Sequence, residues 1–402
     1  MGVTMEFAFT AEEEAFREEV RQFLRHHRPE DFPEDGMDAG YGSGAHSHAF
    51  LRAMAQQGWL TMTWPRAFGG QERPMMYKLI LLEELAAAGA PFGPLGGCDQ
   101  TAEAIIHYGS PRLQQEILPQ IARGEATFWQ GFSEPNAGSD LLSLQTEAVR
   151  DGDDYVLDGH KIWNSHAGIG TYGLVIARTN VQAPRHKGLS MFVVANTTPG
   201  LDIRPIRSMT GGVYHYEVYL DDVRVPKEYL LGKEDEGFVQ LLKGLDTDRF
   251  WGRFYKAPYL QGILNELVVY ANMTTRRGIL LARDPVVRRQ FASLATEIEI
   301  LRRLFYRNGW LLQEGLPTPY EPALNKVLAD ETGQKLAAFG MDLLGLYGPL
   351  KEGTRWAKLH GKMQHIYQTS LGHTIAGGTS EILRTTVAIR GLGLPREPKV
   401  RT

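Results

Sequence analysis

Residues 129–140 read Trp-Gln-Gly-Phe-Ser-Glu-Pro-Asn-Ala-Gly-Ser-Asp, and residues 158–165 read Asp-Gly-His-Lys-Ile-Trp-Asn-Ser. Both follow Thr127, where helical texture gives way to short β-branched and aromatic runs between turn residues: 155–157, 161–163, 174–177, 191–194 and 217–220. Asp158-Gly159 between the first two runs has the composition of a tight hairpin turn. The pattern predicts a small, mostly antiparallel, barrel-like β domain over residues 127–236, ending just past Val225-Pro226.

Outward from that segment the chain is helical on both sides. Thr10 followed by Glu13 has capping-box spacing, and Phe16, Val20, Phe23 and Leu24 share one face, so an amphipathic helix opens the chain. Residues 50–58, 75–88 and 114–122 read as further helices of an N-terminal domain over 1–126, with the glycine-rich 35–45 as a loop. Beyond Gly237, Phe291, Leu294, Ile298, Leu301 and Phe305 step by three and four, and Leu324, Val327, Leu328 and Leu336 form a second stripe. Such stripes predict long antiparallel helices, a four-helix bundle over 237–402. The expected class is therefore α+β and multidomain.

A chain of 402 residues is long enough for two or three packed units and a buried cofactor. Its 43% hydrophobic and 22% charged content is that of a globular protein, and a net charge of -4 provides no field for nucleic acid or an anionic membrane. No apolar run reaches the length of a membrane span, and the start lacks a basic segment followed by an apolar one. The single cysteine, Cys98, forms no intrachain disulfide and fits a reducing compartment, so a cytoplasmic location is expected. Gly168-Ile-Gly170-Thr-Tyr-Gly173 matches a dinucleotide fingerprint by letter, but it runs into an apolar strand and opens no helix, so it reads as a connection. No histidine group has metal-ligand spacing, and no nucleophile-elbow serine is present.

With the two opening stretches, Gly58-Trp59, residues 64–70, residues 222–226 and Ile375-Ala-Gly-Gly-Thr-Ser-Glu-Ile382 make nearly the whole chain resemble the acyl-CoA dehydrogenase family. The resemblance implies FAD, with Gln130, Phe132 and Ser133 as flavin-ring contacts and Ser139, beside Gly138, as a phosphate contact. Trp163 and Ser165 would lie over the isoalloxazine, and Thr379 and Ser380 would approach the dinucleotide. Those residue types suit the task, since backbone N–H groups and hydroxyls match a polar ring edge and phosphates, and an indole packs on a flat ring. The alternative is that Trp163 is a core residue and Ser139 a turn former.

Three positions depart from the best-known members. Gly377 replaces a catalytic glutamate, Thr274 replaces an arginine that reaches the flavin phosphates, with Arg276 close by to take that role, and Asp342 replaces a glutamine. Some members carry the base one residue before an arginine on the first bundle helix, which points to Asp248 before Arg249. Leu241, Leu245, Asp248, Gly252, Tyr255 and Tyr259 fall on one helical face, so a carboxylate interrupts an apolar stripe, and burial raises a carboxyl pKa toward that of a working base. The alternative is a structural ion pair of Asp248 with Arg253 or Arg276. Arg249, Tyr255 and Gly377 are the expected substrate contacts.

The resemblance implies α,β-dehydrogenation of an acyl-CoA thioester in fatty acid β-oxidation, with electrons passed to an electron-transfer flavoprotein. The glycine at 377 and a bend expected at Pro258 favour a branched, cyclic or otherwise bulky acyl group. Apolar helix stripes and the resemblance imply a homotetramer or heterotetramer. Two other readings stay open at this stage: a flavin-dependent monooxygenase or oxidase on the same fold, and a non-catalytic partner subunit of a hetero-oligomer.

Overall fold

The computed structural model describes residues 8–28, 47–93, 95–242 and 254–396. Thr10 Oγ1 accepts the Glu13 N–H at 3.2 Å while the Glu13 carboxylate accepts the Thr10 N–H at 2.8 Å, so the capping box starts α1 (Ala11–His26). Before the strands come α2 (His48–Gln56), α3 (Met75–Ala87), α4 (Leu95–Tyr108) and α5 (Pro111–Ala122). After them come α6 (Lys256–Met273), α7 (Pro285–Gln313), α8 (Glu321–Leu344), α9 (Lys362–His373) and α10 (Ser380–Thr386). The class is α+β: a helical N-terminal region, a central sheet and C-terminal helices. Among the described residues no helix is long and apolar enough to cross a membrane.

Contacts gather the chain into two compact units. One comprises Met1–Arg25, Met75–Gly89 and Arg249–Thr402, and so holds α1, α3 and α6 to α10. A buried ion cluster ties the early helices into it: the Arg17 guanidinium reaches Glu83 and Glu84 at 2.7 Å each, and Glu83 also accepts from Arg302 and from the Tyr306 hydroxyl. Along α7, Leu294, Ile298, Leu301 and Phe305 are buried, as the stripe requires, and half-buried Phe291 meets Phe339 edge-on at 4.9 Å. On α8, Val327 and Leu336 are buried and Leu324 and Leu328 half-buried. Pro258 falls in the first turn of α6, where its missing N–H has no intrahelical partner to lose.

The other unit comprises His26–Pro74 and Ala90–Asp248. Its strands are β1 (Phe128–Gly131), β2 (Glu147–Asp151), β3 (Asp154–Ser165), β4 (Tyr172–Arg178), β5 (Leu189–Ala195), β6 (Leu201–Arg207), β7 (Val213–Pro226) and β8 (Leu230–Leu231). Both central strands are covered on two faces. Leu174, Ile176, Met191 and Val193 pack with helix residues such as Ile105 and Ile117, while Val175, Ala177, Phe192 and Val194 pack with Leu157, Val218 and Leu220. This period of two on a run buried on both sides explains why residues 174–177 read as uninterrupted apolar sequence.

Two expectations are corrected here. The β domain is not a barrel: the order β6-β7-β3-β2-β4-β5-β8, with β1 on β4, ends at two different edge strands and stays open. The end strands β6 and β8 do not pair with each other, and β1 adds a parallel pairing on β4 to an otherwise mostly antiparallel sheet. Nor is Asp158-Gly159 a hairpin turn. Strand β3 runs straight through it against β7 with a register shift between Leu157 and Gly159, and a Cβ at Gly159 would lie 2.3 Å from Thr146 Oγ1. The glycine serves close approach, and the long ladder overrides the local turn preference.

Candidate active site

The sheet unit brings the two opening stretches together. Asn164 Nδ2 donates to Gln130 O at 2.7 Å, and Ile162 N donates to Ser133 O at 3.0 Å. Strand β3 gains one extra residue between Lys161 and Asn164 relative to β7, a bulge that changes which side chains face inward. Lys161 and Asn164 are buried, whereas Trp163 adopts φ 64° with its indole 58% exposed, edge-on to His215 at 5.8 Å. A bulky residue held in the left-handed region costs about 1–2 kcal/mol and marks a place where the fold is bent to a purpose. Gln130, Ser133 and Ser165 are half-buried and Phe132 is buried. Gly138 and Ser139 lie exposed on the following loop, where a Cβ at Gly138 would meet nothing within 4 Å.

Beneath these residues lies a pair that sequence reasoning missed. The Lys161 ammonium, fully buried, contacts Glu134 Oε1 at 2.9 Å and donates to Phe132 O at 3.3 Å. Glu134 also accepts the N–H groups of Gln145 at 2.6 Å and Thr146 at 2.8 Å. Burial pulls Lys161 down to about 8, the Glu134 charge limiting the fall. For Glu134 burial acts upward, but Lys161 and the donated N–H groups outweigh it and hold the carboxyl below its ordinary range. The only sequence signal was a lysine at an inward position of an apolar strand. Gln100, buried on α4, accepts from the Gln130 amide and was likewise unforeseen.

In the helical unit the second group of residues forms one turn. Gly377 and Gly378 have φ 67° and 98°, a backbone that favours glycine, and Thr379 caps α10 by accepting the Ile382 N–H at 3.3 Å. Ser380 is buried. The turn leaves the end of α9, which is clamped from α8: Lys326 Nζ donates to His373 O at 3.0 Å and pairs with Asp330 at 2.8 Å, and Gln334 reaches Ser370 O and Thr374 Oγ1. Lys256 Nζ lies 2.9 Å from His373 Nδ1, so the buried Tyr255 beside it starts α6 near that same end. Arg276 engages a different place, donating to the last carbonyls of α8 at Leu343 and, at 3.4 Å, Asp342. Asp248 and Arg249 lie outside the described residues.

Residues 10–125 match the model for the acyl-CoA dehydrogenase N-terminal domain, 130–223 the middle domain and 235–392 the C-terminal domain. The acyl-CoA dehydrogenase FadE26 of Mycobacterium tuberculosis is 31% identical over 98% of this chain and 99% of its own length. Among solved structures, the Tcur3481-Tcur3483 steroid ACAD superposes with a TM-score of 0.84 at 28% identity, covering 98% of this chain and 100% of that one. The ChsE4-ChsE5 complex from Mycobacterium tuberculosis gives a TM-score of 0.84 at 30% identity, with the same coverage.

Proposed function

The chain belongs to the acyl-CoA dehydrogenase family, and we propose that its substrate is a bulky acyl-CoA thioester, branched, cyclic or steroid-like, oxidised across its α,β bond. It is an FAD-dependent oxidoreductase of lipid metabolism acting on acyl-CoA, as its family is. The residues present fit that cofactor. An indole face stands exposed at Trp163, and buried Asn164 Oδ1, Gln100 Nε2 and Ser380 Oγ have no hydrogen-bond partner among the described residues. Bound FAD supplies the acceptor for a β-hydride.

The sequence domains 1–126, 127–236 and 237–402 divide the labour in this reading. Gln130, Phe132, Ser133, Trp163 and Ser165 hold the ring, Gly138 and Ser139 meet the phosphates, and Thr379 and Ser380 meet the rest of the dinucleotide, whereas Arg276, expected there from sequence, is turned to the α8 carbonyls. Asp248 takes the α-proton, while the Gly377 N–H donates to the thioester carbonyl, where negative charge builds as that proton leaves. Arg249 and Tyr255 contact the substrate. Electrons leave to an electron-transfer flavoprotein.

The observation that carries the acyl-group assignment is the turn at Gly377, whose left-handed backbone carries no side chain where a glutamate would otherwise fill space. The likeness to a steroid ACAD supports it. Turnover of a thioester panel is the test: steroid-side-chain, cyclohexyl and branched acyl-CoAs should be oxidised faster than butyryl- or octanoyl-CoA, and a preference for the straight chains would reject the assignment.

A second reading concerns assembly. Arg276 is engaged with the α8 carbonyls, and Thr274 offers no charge, so a tetramer in which a different chain completes the phosphate contacts follows naturally. Likeness to the ChsE4-ChsE5 complex supports it. A chain that binds one FAD per subunit when purified alone would reject it.

A further inference from the structure

The Glu134–Lys161 pair holds two backbone segments, but its geometry implies more than support. Lys161 Nζ donates to Phe132 O, and the peptide that owns this carbonyl also owns the Ser133 N–H. The chain has no cis peptide among the described residues, so that N–H points away from the ammonium. A cation bound at one end of a peptide polarises it and strengthens the donor at the other end, most of all where burial keeps water from screening the charge. Lys161 is 0% exposed, and Glu134, fixed by the Gln145 and Thr146 N–H groups, keeps the ammonium aimed at Phe132 O and charged.

We propose that Lys161 and Glu134 are positioning residues for the flavin, a buried cation–carboxylate relay that sharpens the Ser133 N–H as a donor to the pyrimidine edge and so favours the reduced cofactor. This rests on the reading of Phe132 and Ser133 as ring contacts. The pyrimidine edge carries more negative charge after reduction, so a stronger donor there binds the reduced form more tightly than the oxidised one, which raises the reduction potential. A merely structural pair would alter stability and leave the potential where it is.

The test compares full-length wild type with Lys161→Gln, which keeps a polar contact to Phe132 O without the charge, and Glu134→Gln, which keeps the shape but removes the group that holds Lys161 protonated. FAD affinity of the apoprotein and the midpoint potential of the bound flavin are measured at pH 7. Each variant should bind FAD roughly tenfold more weakly, the scale of one weakened charge-assisted hydrogen bond, and each should have a more negative potential. Two variants are used because one of them can fail to fold; the folded one then decides. Wild type that binds FAD while a folded variant keeps the wild-type potential, whatever its affinity, overturns this inference alone. A wild-type chain that binds no FAD removes the ring-contact reading and the inference together.

Discussion

At the residue scale, Trp163 concentrates the argument. Its left-handed backbone carries strain that glycine would not, and its indole buries little within the chain, so the residue stabilises the fold poorly. Trp163→Gly should change the stability of the apoprotein by less than about 1 kcal/mol in a denaturant titration, yet weaken FAD binding measured by fluorescence quenching. A loss of several kcal/mol with unchanged FAD binding would return Trp163 to the core. Glu134 titrates with a definite sign: its folded pKa is depressed, so its contribution is complete above about 4.5 and is lost as pH falls through the folded value. Glu134→Gln should therefore cost about 2 kcal/mol at pH 7, a gap that closes in urea titrations as pH drops below 4.5. Lys161 acts in the same sense at higher pH: its folded value of about 8 lies below the ordinary 10.5, so stability rises as pH increases between the two. Neither partner's role was legible in sequence. Glu134 sits inside the motif and Lys161 inside a strand, but 27 positions separate them and nothing local announces that they meet.

At the element scale, sequence served best where one periodic signal decided the outcome. The Thr10/Glu13 box placed the start of α1, and the stripe from Leu294 to Phe305 placed the buried face of α7. It served less well where tertiary context overrode local preference, as at Asp158-Gly159, where a turn-forming pair is stretched into strand opposite an extra residue in β7. Helix α3 is apolar nearly all round, so periodicity could not say what it packs against; the answer lies in Glu83 and Glu84, which are buried against Arg17 on α1, with Arg302 and Tyr306 on α7 completing the Glu83 site. Arg17→Met would leave two buried carboxylates without their shared guanidinium. A cost of about 3 kcal/mol at pH 7 is expected, shrinking as the medium is acidified because Glu83, held low in the wild type by Arg302, Tyr306 and Arg17 against its burial, would then take up a proton. Chemical denaturation at several pH values reads this directly, and a cost that is independent of pH would mean the network contributes packing alone.

At the scale of the whole molecule, the motif-bearing stretches account for the family and the sheet, and each compact unit organises its own share of the site residues. In one, the bulge in β3 and the Lys161 contact fix the segments proposed to hold the ring; in the other, the Lys326, Asp330 and Gln334 face of α8 clamps the end of α9 that leads into the turn at Gly377. Asp248, the proposed base, is marked by the sequence as an acidic residue interrupting an apolar stripe, one position before an arginine. The most direct measurement is therefore an anaerobic absorbance titration of the FAD-loaded protein with bulky acyl-CoA thioesters, run on wild type and on Asp248→Ala. Bleaching of the flavin band in wild type and its absence in a variant that still binds FAD is the predicted result. Equal bleaching in both proteins would remove Asp248 as the base, and a flavin that no thioester bleaches would contradict acyl-CoA dehydrogenation itself.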